Sequence, residues 1–240
     1  MATASTTTIA DQSGPARAAG ALAVVSPHLD DAVFGCGALL ATHPAAVVIT
    51  VFAGVPRVGV RAPAWDRACG FRTAQGAVRA RRREDRAALA ELRATPVWQD
   101  FLDSQYRATP RMTDVASALR GELARHALDL VAMPLGLFHS DHQLVHEACL
   151  DVASRTSRLR WLAYEDALYR RKPGLLQDRL TALRARRVRA TPIAMSQRRD
   201  AGARKARAVQ CYVSQARAFG RAGLADTTAP ERYWALEFER

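Results

Sequence analysis

Two short segments hold most of the side chains in this chain that could bind a metal and move protons. The first is His28-Leu29-Asp30-Asp31. The second is His139-Ser140-Asp141-His142, with His146 one helical turn further on. Imidazole nitrogens and carboxylate oxygens converging on one point suit zinc, and a catalytic zinc site keeps one position open for water. Two histidines and a carboxylate would equally suit Fe(II), so the ligand types alone leave the metal open. Each segment also has a plainer explanation. Asp30, Asp31 and Asp141 could simply cap the helices that follow them, because acids favour helix N-termini. Finding both segments at equivalent places in one chain makes that joint explanation much weaker.

The places are equivalent because each segment follows a strand and opens a helix. Ala21-Leu-Ala-Val-Val25 is a short apolar run before the first segment, and a helix is predicted from about Ala32 to Ala41. Leu128-Asp-Leu-Val-Ala-Met133 precedes the loop Pro134–Ser140, and a helix is predicted from about Asp141 to Ala153. Between them lie the β-branched run Val47–Phe52, a helical pattern over Ala74–Leu92, a strand beginning at Val97-Trp98 and a helix over Thr113–His126. Trp161–Tyr164 is the last clear strand before an Arg-rich C-terminal third. Continuous apolar strands are those of a sheet covered on both faces. Strand–helix alternation predicts an α/β fold with a mostly parallel sheet and helices on both faces. Functional residues of such sheets gather at the carboxyl ends of the strands, which marks residues 26–31, 53–73, 101–106, 134–142 and 165–169. The long stretch Gly54–Thr73, following a strand, is expected to form a lid or wall over the site. No linker divides the chain: residues 1–20 read as a polar lead-in and 21–240 as one domain.

Composition removes several function classes. Nearly half of the 240 residues are apolar, which suits a packed core. No apolar run approaches the roughly 20 residues that a membrane-spanning helix needs, and residues 1–20 lack the layout of a signal peptide. Four scattered cysteines, Cys36, Cys69, Cys149 and Cys211, form no metal-binding pair and no disulfide framework. A cytoplasmic protein without a membrane partner is the expectation, and a homo-oligomer remains open. The formal charge is +12, nearly all of it supplied by arginine, with dense runs at 79–83 and 184–189. A basic surface can hold nucleic acid through its phosphates. No helix-turn-helix, zinc-finger or RNA-reading signature accompanies these runs, so nucleic acid is not the expected partner.

The segment Pro27-His28-Leu29-Asp30-Asp31, followed by Gly35-Cys36-Gly37 and later by His139-Ser140-Asp141-His142, resembles the LmbE-like or PIG-L family of metal-dependent deacetylases. Thr50–Gly54, Arg82–Arg86, Phe101–Tyr106, Tyr164-Glu-Asp166 and Lys205–Gln215 extend the likeness across most of the chain from residue 21. The resemblance implies a Rossmann-like α/β domain that removes the N-acetyl group from an N-acetylglucosamine-type sugar or glycoconjugate. The setting it implies is bacterial secondary metabolism or thiol biosynthesis; cleavage of a larger sugar- or cysteine-conjugate amide is the alternative. It places Zn2+, or another divalent metal such as Fe2+, on His28, Asp31 and His142. Asp30 falls on the general base, His139 on the residue supporting the oxyanion, and Asp141 on the group that orients His139 and keeps it cationic. His146 would support a ligand without binding metal. Asp103 and Trp65 would bind substrate, the first at sugar hydroxyls and the second by stacking on a sugar face, although core packing explains Trp65 equally well. Arg82 and Glu84 are expected to form an ion pair on their helix. Leu29 stands where the family usually has Pro, and Ala32 where an acid often follows the Asp pair; neither change removes a ligand or base.

Overall fold

The computed structural model describes residues 21–195 and 198–239; the predicted lead-in over residues 1–20 lies outside them. Seven strands form one sheet: β1 Leu22–Ser26, β2 Val47–Thr50, β3 Thr95–Trp98, β4 Leu130–Pro134, β5 Arg160–Tyr164, β6 Val188–Ile193 and β7 Tyr233–Phe238. Their spatial order is β3-β2-β1-β4-β5-β7-β6. Strands β1 to β5 run parallel, and β7 runs antiparallel to both β5 and β6.

The apolar character of β1, β2 and β4 follows from their surroundings, because every residue in them is buried. Successive side chains point to opposite faces. Ala23 and Val25 enter one core with helices α4 (Met112–Leu123) and α5 (Ser140–Ser154). Leu22 and Val24 enter the other with α1 (Asp31–Thr42), α3 (Ala74–Leu92) and α7 (Ala201–Gln210). The sheet therefore carries helices on both faces. The remaining helices are the short α2 (Ala64–Ala68), α6 (Leu175–Ala185) and α8 (Val213–Thr227), which kinks at Gly220.

The chain leaves β1 towards β2 and β3 on one side, then returns to add β4 and β5 on the other. The carboxyl ends of β1 and β4 thus flank the point where the strand order reverses, the usual crevice for ligands in open α/β sheets. Both histidine-bearing segments leave the sheet there. Close packing holds this crevice. A side chain at Gly35 in α1 would strike the Tyr164 ring at 2.6 Å, so α1 lies directly against β5, and the Tyr164 hydroxyl donates to Val25 O of β1 at 2.9 Å.

One feature departs from the sequence expectation. Strands β6 and β7 lie in the Arg-rich C-terminal third, beyond what was predicted to be the last strand. The Gly54–Thr73 stretch holds helix α2, pinned from below. Asp66 is fully buried, with Arg81 Nη2 at 2.7 Å and the Tyr106 hydroxyl donating at 2.8 Å. Prolines occupy both outermost strands, Pro96 in β3 and Pro192 in β6.

Candidate metal and active site

The first segment is shaped by Ser26. Its hydroxyl donates to His28 O at 2.7 Å and accepts the Ala32 N–H at 2.9 Å, folding the chain into a tight turn that starts α1. Asp31 then sits in the first turn of α1, where the positive end of the helix favours a carboxylate. Leu29 lines the cavity and packs with Ala53 and Val78, which accounts for an apolar residue at this position.

The second segment is held by a different device. His139 caps α5, its Nδ1 accepting the Asp141 N–H at 3.2 Å. The loop before it turns through Gly136 at φ 76° and Phe138 at φ 60°. A Cβ at Gly136 would lie 2.6 Å from His146 Cβ, so only glycine fits the loop against α5. His146 is buried and donates through Nδ1 to Pro134 O at 2.9 Å, so it braces the loop. Burial, and then the Arg179 charge, push its pKa down to about 4, keeping the ring neutral.

His28, Asp31 and His142 converge, with one ligand atom from each lying within 4.8 Å of the others. His28 Nδ1 and His142 Nε2 each stand 3.2 Å from Asp31 Oδ2. The opposite nitrogen of each ring is engaged by a carboxylate. His28 Nε2 donates to Asp141 Oδ2 at 3.0 Å, and His142 Nδ1 donates to Asp166 Oδ1 at 2.6 Å. A carboxylate behind a histidine fixes the tautomer and raises the basicity of the free nitrogen, as in carboxylate–histidine–metal arrangements. The donor set therefore fits a divalent cation: two imidazole nitrogens and one carboxylate oxygen, with the remaining ring protons satisfied.

The electrostatics agree. Burial opposes charge on His142, but Asp31 and the Asp166 hydrogen bond outweigh it and raise its pKa to about 9. Burial likewise opposes charge on His28, whose pKa the bonds to Asp141 and Asp31 lift above the ordinary range. Burial works against Asp31 too, yet the neighbouring imidazoles hold its carboxyl well below the usual range. A site that attracts protons this strongly attracts cations by the same potential. Asp30 differs. It is buried and its carboxyl bonds to neither histidine, and burial followed by the Asp31 charge pushes its pKa up. Asp30 lines the cavity with the three converging residues, His139, Asp103 and Trp65.

Asp141 and His139 are related differently from the expectation. The Asp141 carboxylate turns to His28 and to the Ser104 N–H at 3.1 Å, and the bond to His139 comes from the Asp141 backbone. Burial and the nearby His28 and His142 charges push the His139 pKa down. With Nδ1 accepting a hydrogen bond, the neutral ring carries its proton on Nε2. Asp103 caps a 3-10 turn at Ser104–Tyr106 and stands 3.9 Å from His28 Nε2. Arg82 and Glu84 do not pair with each other: Arg82 bonds Ala53 O and Asp100, and Glu84 accepts from Ser214. The first arginine run is likewise no uniform basic face, since Arg81 is buried against Asp66.

A profile of the PIG-L family, described as GlcNAc-PI de-N-acetylase, matches residues 23–153, just over half of the sequence and both histidine segments. The chain belongs to the PIG-L family. No curated protein matches it. Among solved structures, the zinc-inhibited form of teicoplanin deacetylase Orf2 is 26% identical with a TM-score of 0.77, covering 91% of this chain and 98% of its own. The pseudoaglycone deacetylase Dbv21 is 26% identical with a TM-score of 0.70, covering 90% and 97%. The N,N'-diacetylchitobiose deacetylase of Pyrococcus horikoshii is 16% identical with a TM-score of 0.54, covering 82% and 71%, and shares the fold. As a PIG-L member with deacetylases as its structural neighbours, this protein is an N-deacetylase whose His/Asp cluster fits a divalent metal. Among the described residues no helix is long and apolar enough to cross a membrane.

The sequence drew attention to 165–169 as a strand end but gave Asp166 no role. Its signal was an acid directly after a strand, inside the block Tyr164-Glu-Asp166 that carries part of the family resemblance. Tyr169, whose ring lies 5.2 Å from that of His142 and 6.3 Å from that of His139, carried no signal beyond the same position.

Proposed function

We propose that this protein is a zinc-dependent deacetylase acting on the acetamide of an N-acetylglucosamine-type glycoconjugate. The observation that carries the reading is the convergence of His28, Asp31 and His142 in a cavity of about 510 Å³, with Asp30 and His139 lining the same cavity. The named deacetylase neighbours support a sugar conjugate as substrate, and the nitrogen–oxygen donor set supports zinc. Cys36, Cys69 and Cys149 are buried and unpaired, which supports a reducing, cytoplasmic setting.

His28 Nδ1, one Asp31 oxygen and His142 Nε2 would hold the metal. When bound, it supplies Lewis-acid polarisation of the acetamide carbonyl and acidifies water. Asp30 takes the proton as the water oxygen bonds to the carbonyl carbon. Asp31 cannot serve, because its charge is engaged by two imidazoles and the His28 backbone. His139 donates its Nε2 proton in a hydrogen bond to the developing oxyanion, for which a neutral ring suffices. The C–N bond then breaks, and Asp30 passes its proton to the departing nitrogen. Acetate and a free amino sugar result. Asp103 holds sugar hydroxyls from the cavity edge.

The test is acetate release from N-acetylglucosaminyl glycosides by zinc-loaded protein. Wild type should turn over, while Asp30→Ala should bind zinc yet lose about 10²–10⁴-fold in rate. Equal rates in the two proteins would remove Asp30 as the base. His142→Ala should lose zinc, and a variant that kept full affinity would remove the ligand set.

A further inference from the structure

The loop that carries His139 separates two cavities. Of residues 134–139, only His139 lines the catalytic cavity. Gly136, Leu137 and Phe138 line a second cavity of about 440 Å³, whose facing wall is one side of α6, through Leu175, Asp178 and Arg179. Phe138 and Asp178 are exposed, so this second cavity is open to water.

The loop is bent against its own preferences. A φ of 76° suits Gly136, but Phe138 at φ 60° is a bulky residue in the left-handed region. Such a conformation persists only where the surroundings hold it. Here they hold nearly every polar backbone group. The Leu135 N–H bonds Tyr164 O, and the Leu137 N–H bonds Asp166. His146 donates to Pro134 O, Gln143 Nε2 donates to Phe138 O, and the His139 N–H closes back on Leu137 O at 2.7 Å. These ties come from β5, the residues just after it, α5 and the loop itself. The Gly136 carbonyl is held from elsewhere: it accepts from Arg179 Nη2 of α6 at 2.7 Å. The Arg179 side chain is only 15% exposed, and its other partner, Glu147, stands 3.6 Å away and is already bound by Arg186. A partly exposed ion pair of that kind contributes little. The short, charge-assisted bond to Gly136 O is therefore the principal contact of Arg179.

We propose that Arg179 is a positioning residue for His139: its bond to Gly136 O fixes the loop so that His139 Nε2 reaches the developing oxyanion. The proposal rests on the deacetylase reading, in which His139 supplies that hydrogen bond. Gly136 stands three residues before His139, and Leu137 between them takes the His139 N–H, so a shift at Gly136 passes directly to the imidazole. A misplacement of about 1 Å can cost about 100-fold in rate. The bond that suffers is one made in the transition state, so the loss falls on kcat rather than KM.

The experiment replaces Arg179 and reads both turnover and the His139 ring, at saturating zinc. In Arg179→Ala, water in the second cavity takes over Gly136 O, so the fold should survive. Its kcat should fall about 10–100-fold with KM within about twofold of wild type. Arg179→Gln, which keeps the packing stem, replaces it should the alanine variant melt below the assay temperature. A kcat within about twofold of wild type overturns the proposal. In a His139→Ala background the same replacement should change kcat by less than about twofold, because its route of action is already gone. An equal loss in both backgrounds assigns Arg179 to the fold at large and overturns the proposal. Glu147→Gln should leave kcat unchanged; a loss matching that of Arg179→Ala would place the effect in the ion pair and overturn the carbonyl bond. Nitrogen-15 NMR of the histidine rings needs no turnover. Wild-type His139 should show one tautomer, protonated at Nε2, because Nδ1 accepts the Asp141 N–H. Arg179→Ala should show averaged His139 nitrogens as that bond loosens, and an unchanged His139 spectrum overturns the proposal. Should wild type release no acetate, the deacetylase reading fails, while the His139 spectrum still decides whether Arg179 holds the loop.

Discussion

Replacing Asp166 by Asn tests whether the metal site is organised from behind. Asp166 is buried and accepts two hydrogen bonds, from His142 Nδ1 at 2.6 Å and from the Leu137 N–H at 2.9 Å. It thus ties a candidate ligand and the loop carrying His139 to one side chain. An Asn keeps a single oxygen, so one of the two buried donors must face an NH2 group. A buried donor left without a partner costs about 1–3 kcal/mol, and the bond to the imidazole also loses its charge assistance. A loss of about 2–3 kcal/mol is expected. For a domain of this size that lowers the melting temperature by roughly 4–12 °C. Losing the carboxylate behind a ligating histidine typically weakens metal binding 10–100-fold. The assay is zinc competition against a chromophoric chelator at neutral pH, paired with thermal melting of the metal-free protein. If Asp166→Asn melts lower yet binds zinc within twofold of wild type, Asp166 only braces the loop, and the carboxylate–histidine–metal reasoning is refuted.

Gly136→Ala should be destabilised by at least about 2 kcal/mol. Its φ of 76° is costly for alanine, and the new Cβ would lie 2.6 Å from His146 Cβ. A melting temperature within 1–2 °C of wild type would contradict this, and zinc affinity should fall with the displaced loop. Asp85 gives a pH signature away from the metal site. It is buried and accepts from Trp98 Nε1 and the Tyr212 hydroxyl, and burial raises its pKa to about 6. The unfolded chain releases this proton near pH 4 and the folded chain only near 6, so folding binds a proton between these values. Stability therefore declines as pH rises through that window, by about 3 kcal/mol for a gap of roughly two units. Melts from pH 4.5 to 7.5 should show wild type losing ground to Asp85→Asn as pH rises, and a constant difference would exclude the effect.

What could be read from the sequence was what repeats or concentrates. The runs Val47–Thr50 and Leu130–Met133 are apolar throughout because they are covered on both faces, so strand and class were both visible. The two histidine–aspartate segments were visible because their residue types are rare together, the family resemblance picked His28, Asp31 and His142 from them, and the structure brings these three to one point. The site geometry shows more than spacing could. Asp141 stood beside His139 in the sequence, but its side chain reaches across 113 positions to His28. The role of Asp166, though it lay in the block Tyr164-Glu-Asp166, was hidden because a carboxylate behind a histidine needs only a strand end at the right place. Strand β6 was hidden by composition. Its residues Val188-Arg-Ala-Thr-Pro-Ile193 form an edge strand with half-exposed and exposed positions, and arginines there read as helix surface.

The prolines of β3 and β6 bear on how copies of this protein can meet. Thr95 and Gln99 give their N–H groups to β2, so by alternation Pro96 faces outward from the sheet. In β6 the Glu239 N–H to Arg187 O bond fixes which positions face β7, and by the same alternation Pro192 also faces outward. A strand laid along either side of the sheet would find a ring where it needs a hydrogen-bond donor. Self-association by joining sheets end to end is thereby discouraged on both flanks of the sheet.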